Sequence, residues 1–264
     1  MKKVKSKNQK SLLIILVIFL FIINYNFLDK KLSDFLAEEK TGVVERVIDG
    51  DTLVLESGEH IRLLGINTPE KGEPYSKEAK DFAEQLALNK TITLKFGKER
   101  TDLYNRTLAY VFLENRNINL ELVKEGLANY YFPGGKDVYY EKFSEAWKMC
   151  MEKNENLCEK SEDVCSNCIL LKELNAKSDE IVFENACSYE CSLANWSIKD
   201  EGRKHFIFPE FALNPYSQVK VIVKEGEDNS ENLYWKGEDY VLTPTGDTLF
   251  LRDSWGKLVL WKTY

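Results

Sequence analysis

Short apolar runs broken by turn-forming residues begin at Thr41. Gly42 to Val47, Thr52 to Leu55 and His60 to Ile66 alternate apolar and polar positions, and the Asp49-Gly50 and Ser57-Gly58 turns separate them, a pattern that predicts β-strands joined by tight hairpins. The period then changes. After Ser76, which the pattern assigns as a helix cap, Ala79, Phe82, Ala83 and Leu86 recur at helical spacing. Two more strands, Thr91 to Phe96 and Thr107 to Leu113, precede a short helix ending near Gly126 and a third helix from Val138 to Lys153. Five strands with a helix inserted after the third predict a five-stranded Greek-key β-barrel of the oligonucleotide/oligosaccharide-binding (OB) type.

Beyond Cys158 the pattern is one of strands and turns alone, with four of the five tryptophans at Trp196, Trp235, Trp255 and Trp261. Runs at Ile181 to Asn185, Phe206 to Phe208, Val219 to Val223 and Thr248 to Arg252 predict an all-β sandwich. The other end of the chain is different again. Met1 to Lys7 is basic without acids, and an unbroken apolar run from Leu12 to Ile23 follows. That run is shorter than the ~20 residues of a bilayer span, but Asn24 to Leu28 extend it. With no small-x-small cleavage site after Ile23, an uncleaved anchor with its basic end inside is favoured over a removed signal peptide. The expected division is a signal peptide or membrane anchor at 1–28, a charged tether at 29–40, the barrel at 41–158, a linker at 159–167 and the sandwich at 168–264. Two domains are the natural expectation for 264 residues.

Charge argues against a broad electrostatic grip on nucleic acid. Residues 41–158 hold 16 Lys+Arg against 20 Asp+Glu, and residues 159–264 hold 12 against 19. A dedicated duplex binder usually presents a basic face, because neutralising phosphates supplies most non-specific affinity. Phosphate recognition is therefore expected to come from a metal and local arginines, although a charge sum leaves room for a basic groove.

The local chemistry lies in three separated stretches: Val47-Ile48-Asp49-Gly50-Asp51-Thr52, then Ile61 to Glu70, then Arg100 to Arg106. In-line attack on a phosphodiester needs a positioned water, an acceptor for its proton and positive charge for the phosphoryl oxygens. Carboxylate oxygens select a hard cation such as calcium, and the planar fork of arginine suits phosphate. The two histidines, His60 and His205, lie outside the catalytic positions of these stretches, so histidine-based cleavage is not expected. Asp-Gly-Asp alone is commonly only a hairpin turn, and Arg62 in a strand is commonly only an ion-pair partner. Together the three stretches supply a complete set of metal ligands, base and arginines.

In that order they resemble the staphylococcal nuclease (thermonuclease) family over about Thr41 to Cys158. The resemblance implies the five-stranded barrel and a calcium-dependent nuclease acting on DNA, and on RNA, to leave 3′-phosphate ends. It implies Asp51 as a metal ligand with Asn67 and the Thr68 carbonyl, Asp49 orienting water beside the metal, Glu70 as general base, and Arg62 and Arg106 on the scissile phosphate. Asn67 stands where many relatives have aspartate, which implies weaker calcium binding, and Asn105 stands where glycine is usual but tolerates a left-handed turn. Tyr104 and Tyr131 are candidates for stacking on bases. The rival expectation is a non-catalytic module using the same groove to hold nucleic acid or protein.

Ser192 to Asp200, Phe206-Ile207-Phe208-Pro209 and Gly246 to Asp253 resemble the lamin-tail domain family. This implies an immunoglobulin-like sandwich that binds or positions an unknown partner, with no catalytic motif. The six cysteines, an even number behind an export-type segment, favour disulfides. Cys150 and Cys158 are close enough in sequence to pair. A hairpin turning near Lys177 would set Cys168 opposite Cys187 and Cys165 near Cys191, which fits either two disulfides or one four-sulfur zinc site, with disulfides favoured outside the cell. The expected location is extracellular or at the cell surface, membrane-anchored or secreted.

Overall fold

The computed structural model describes residues 39–133, 135–243 and 248–264, so the expected N-terminal anchor lies outside the described residues. Residues 41–264 form one compact unit, and it contains two hydrophobic cores.

The first lobe begins with β1 (Glu39–Asp49), β2 (Thr52–Leu55), β3 (His60–Leu63) and β4 (Ile66–Asn67). Helix α1 (Ser76–Ala87) comes next, followed by β5 (Thr91–Thr101), β6 (Thr107–Leu113) and β7 (Arg116–Asn117). The lobe closes with α2 (Ile118–Lys124), β8 (Asn129–Tyr130) and α3 (Tyr140–Lys153). Strands run in the order β3-β2-β1-β5-β6-β7, and β3 also pairs with β6, so β1, β2, β3, β5 and β6 close into a five-stranded, OB-like barrel. Closure uses a parallel pairing, with Ile61 opposite Thr107 and Arg62 opposite Leu108. Inside, Val44, Leu53, Leu55, Ile61, Leu63, Leu94 and Val111 are buried. Helix α1 covers the barrel through Ala79, Ala83, Leu86 and Ala87, and α3 does so through Phe143, Ala146, Trp147 and Cys150. Both sets follow the i, i+3/i+4, i+7 stripe of an amphipathic helix.

Two local expectations need correction. The run from His60 to Ile66 is two strands, because Gly65 turns left-handed at φ 79° and a Cβ there would meet Tyr110 and Phe132 at 3.1–3.2 Å. Ser76 does not cap α1: the preceding Tyr75 is itself left-handed at φ 67°, and no side chain caps the first turn.

In the second lobe follow β9 (Ile169–Asn175), β10 (Glu180–Asn185), β11 (Cys191–Ser192), β12 (Ser197–Lys199), β13 (His205–Ile207) and β14 (Ala212–Leu213). The chain ends with β15 (Gln218–Val223), β16 (Asn232–Trp235), β17 (Thr248–Arg252) and β18 (Leu258–Thr263). One four-stranded sheet runs β16-β15-β10-β9 and another β13-β12-β17-β18. Ile181, Phe183 and Val221 from the first meet Ile198 and Leu251 from the second, with Trp196 from the turn before β12, in one core. The lobes are welded by aromatic contact: Trp147 of α3 lies edge-on to Phe250 and Trp261 at 5.6 and 6.2 Å.

All six cysteines are paired, as Cys150–Cys158, Cys165–Cys191 and Cys168–Cys187, with Cα separations of 5.8, 5.8 and 5.4 Å. The β9–β10 hairpin, with Asn175 opposite Glu180, produces the two clustered bridges. The zinc alternative is thereby corrected. Although the sulfurs of Cys168, Cys187 and Cys191 lie together, each is bonded to another sulfur and is no longer the thiolate that zinc requires.

Candidate active site

Barrel closure assembles the site at one mouth. Thr52 pairs with Asp49 across the β1–β2 turn and with Arg62 on β3, while Arg106 immediately precedes the first residue of β6 at the seam. Gly50 has to be small there, since a Cβ would press on Ala79 and Thr68 at 2.7–2.8 Å. The register thus brings Asp49, Asp51, Arg62 and Arg106 together from two strands and two turns.

Asp51 is the hub. It is 3% exposed, and its Oδ2 accepts from the Thr68 N–H at 2.9 Å and the Thr68 hydroxyl at 3.0 Å. The same oxygen lies 3.1 Å from Arg62 Nη2. Arg62 is fixed further by Nη1 donating to the Leu63 carbonyl and Nη2 donating to Asn67 Oδ1, both at 2.8 Å. Burial depresses its pKa, as do the charges of Arg106 and Arg203, while Asp51 opposes the shift. Asp49 accepts the Asp51 N–H at 3.1 Å, and burial, followed by the Asp51 charge, raises its carboxyl above the usual range.

Arg106 is held from behind. Its Nε donates to Asp102 Oδ2 at 2.6 Å, its backbone N–H donates to Asp102 Oδ1 at 2.9 Å, and Nη1 reaches the Thr52 hydroxyl at 3.5 Å. Asn105 takes the left-handed conformation expected of it, at φ 62°. Tyr104 is 78% exposed, with its ring centre 5.5 Å from the Arg106 guanidinium. Tyr131 is half-buried beside the β3–β4 turn, its N–H donating to the Gly65 carbonyl.

The second lobe also reaches this mouth, which the sequence reading missed. Asn67 Nδ2 donates to the carbonyls of Gly202 at 2.6 Å and Glu201 at 3.4 Å, and Asn129, paired with Asn67 across β4–β8, donates to Glu201 at 2.9 Å. Glu70 is half-exposed, and its Oε1 lies 2.7 Å from Arg203 Nε. Nearby, Glu73 pairs with Lys199 at 2.9 Å. Three arginines, Arg62, Arg106 and Arg203, therefore surround the carboxylates. The one signal that could have pointed to this loop is the amide at position 67, whose nitrogen donates where a carboxylate would repel carbonyl oxygens.

Fold and site together define a small closed barrel that gathers carboxylates and arginines at one mouth. A family model described as staphylococcal nuclease homologue matches residues 60–160. The chain is 35% identical over 156 residues to a thermonuclease of Staphylococcus intermedius, covering 56% of this chain and 92% of that protein. It is 38% identical over 132 residues to a thermonuclease of Staphylococcus hyicus, covering 46% and 77%. An uncharacterized endonuclease of Haemophilus influenzae is 38% identical over 114 residues, covering 41% and 62%. The chain belongs to the staphylococcal nuclease family.

Proposed function

We propose that the protein is a calcium-dependent endonuclease that hydrolyses DNA, with RNA as a second substrate, outside the cell. The observation that carries this reading is the convergence of Asp51, Arg62 and Arg106 at the barrel mouth, with Glu70 on the adjoining loop.

The donors fit a hard cation. Asp51, the Asn67 amide oxygen and the Thr68 carbonyl are all oxygens, and the carboxyls of Asp49 and Asp51 are packed against one another, a repulsion a cation relieves. These three would hold calcium, with Asp49 orienting water beside it. Bound there, calcium supplies positive charge that polarises a phosphoryl oxygen and acidifies a coordinated water. The remaining work falls to side chains. Arg62, locked by Asp51, Asn67 and Leu63, and Arg106, locked by Asp102, present their outer N–H groups to the scissile phosphate and neutralise its developing charge. Glu70 takes the proton of the attacking water. Arg203 anchors one of its oxygens and leaves Oε2 for that proton.

In this reading residues 41–158 are the nuclease domain and 168–264 a lamin-tail-like, immunoglobulin-like accessory domain, joined by 159–167. Residues 1–28 anchor the chain to the membrane or direct its secretion. Three disulfides suit an oxidising compartment. The test is degradation of single-stranded DNA in calcium and its arrest by chelator. Full activity in chelator overturns the mechanism.

A further inference from the structure

A cavity of about 330 Å³ lies between the two lobes, inside the ~300 to 1,000 Å³ range of ligand pockets. One wall is the loop that carries Glu70, through Pro69 and Pro74, and the facing wall is Phe250, Arg252 and Trp255 from β17 and the turn after it. Pro69 stands between Thr68 and Glu70, so the cavity adjoins the active site directly.

Three observations say what the cavity takes. The Arg252 guanidinium has no carboxylate at ion-pair distance among the described residues, and its one hydrogen bond there is from Nη1 to the Gly256 carbonyl at 3.1 Å. Burial pushes its pKa down to about 10, with Tyr75, Asp253 and Glu73 opposing the shift from beyond ion-pair distance, so it stays charged at neutral pH. The neighbouring Lys199 is neutralised by Glu73 at 2.9 Å, whereas Arg252 has no such direct partner among the described residues. Trp255 is 83% exposed, whereas Trp147, Trp196 and Trp235 are buried. Its turn is rigid: Asp253 Oδ1 accepts the N–H groups of Trp255 and Lys257 at 2.9 Å, and Gly256, left-handed at φ 77°, fits against Pro74. An indole held open on a fixed turn, beside flat apolar walls and a guanidinium with no carboxylate at ion-pair distance among the described residues, matches a planar base carrying a phosphate.

We propose that this cavity is a nucleotide subsite, which takes one unpaired nucleotide of the strand flanking the scissile phosphodiester, its base on Trp255 and its phosphate on Arg252. The inference rests on the nuclease reading and deepens it. A base inside a duplex cannot leave its stack without cost, so the subsite favours single strands.

The test uses the full chain carrying Glu70→Gln, titrated with single-stranded oligothymidylate in calcium and followed by tryptophan fluorescence and by anisotropy of the labelled strand. Trp255→Ala is expected to weaken binding about tenfold and to remove most of the fluorescence quench. Arg252→Gln is expected to weaken binding and to lower the salt dependence by about one phosphate contact. Trp255 is a surface residue, so its variant remains a valid test if Arg252→Gln misfolds. A parent chain that cleaves the strand while both variants bind as tightly as Glu70→Gln alone overturns the subsite and spares the nuclease reading. A parent that neither binds nor cleaves overturns both.

Discussion

Asn67 donates through Nδ2 to the carbonyl of Gly202 at 2.6 Å while its Oδ1 accepts from Arg62 at 2.8 Å. The orientation of the amide is fixed from both sides, because a guanidinium can only donate and a carbonyl can only accept. One residue of the barrel mouth thus ties Arg62 to a loop 135 residues away. Aspartate at this position would suit a metal better but could not make the second bond.

Asn67→Asp is therefore expected to have two opposed effects. The added charge lowers the calcium concentration for half-activity. The Gly202 carbonyl loses its donor, whereas the Glu201 carbonyl keeps Asn129, and the loss costs about 1–3 kcal/mol, offset in part by a stronger pair with Arg62. Thermal unfolding and a calcium titration of activity check both, and an unchanged calcium requirement removes Asn67 from the metal site.

Acid should loosen the contact between the lobes. Burial opposes ionisation of Glu73, but the Lys199 hydrogen bond and charge outweigh it and hold its pKa below the usual value. A depressed folded-state pKa contributes stability that is fully present above the unfolded value near 4.5 and is lost as pH falls through the folded value. Glu73→Gln should flatten the fall in melting temperature between about pH 5 and pH 3. Identical slopes for parent and variant would exclude the pair from the acid response.

Trp147 lies fully buried where the lobes meet, against Tyr130, Phe250 and Trp261. Trp147→Ala should cost about 3–5 kcal/mol in denaturant unfolding. A loss under ~1 kcal/mol would mean the seam collapses around the gap.

The cysteines predict a thiol count. Denatured, unreduced protein should show no titratable thiol, and reduction should lower the melting temperature. Stoichiometric zinc with four reactive thiols would contradict the paired state.

Much of this was legible in the sequence, for local reasons. The Asp49–Asp51 turn, the alternating strands and the helical stripe of α1 depend on neighbours in the chain, and the hairpin that pairs Cys168 with Cys187 follows from its turn. The break at Gly65 and the uncapped start of α1 were not legible, because packing against Tyr110 and Phe132 decides the first and Tyr75 adopts an uncommon backbone for the second. Arg203 and Gly202 sit in a charged turn that reads as solvated surface. Only the folded chain sets them beside Glu70 and Asn67.

On the proposed mechanism, Glu70 and the two arginines, Arg62 and Arg106, perform hydrolysis in the presence of calcium. Single-turnover cleavage of a single-stranded DNA oligonucleotide by parent and Glu70→Gln, with calcium and with chelator, measures it directly. The expected result is calcium-dependent cleavage that slows about 100-fold or more in Glu70→Gln, with strand binding retained. Equal cleavage rates for the two proteins, or a parent rate untouched by chelator, would contradict it.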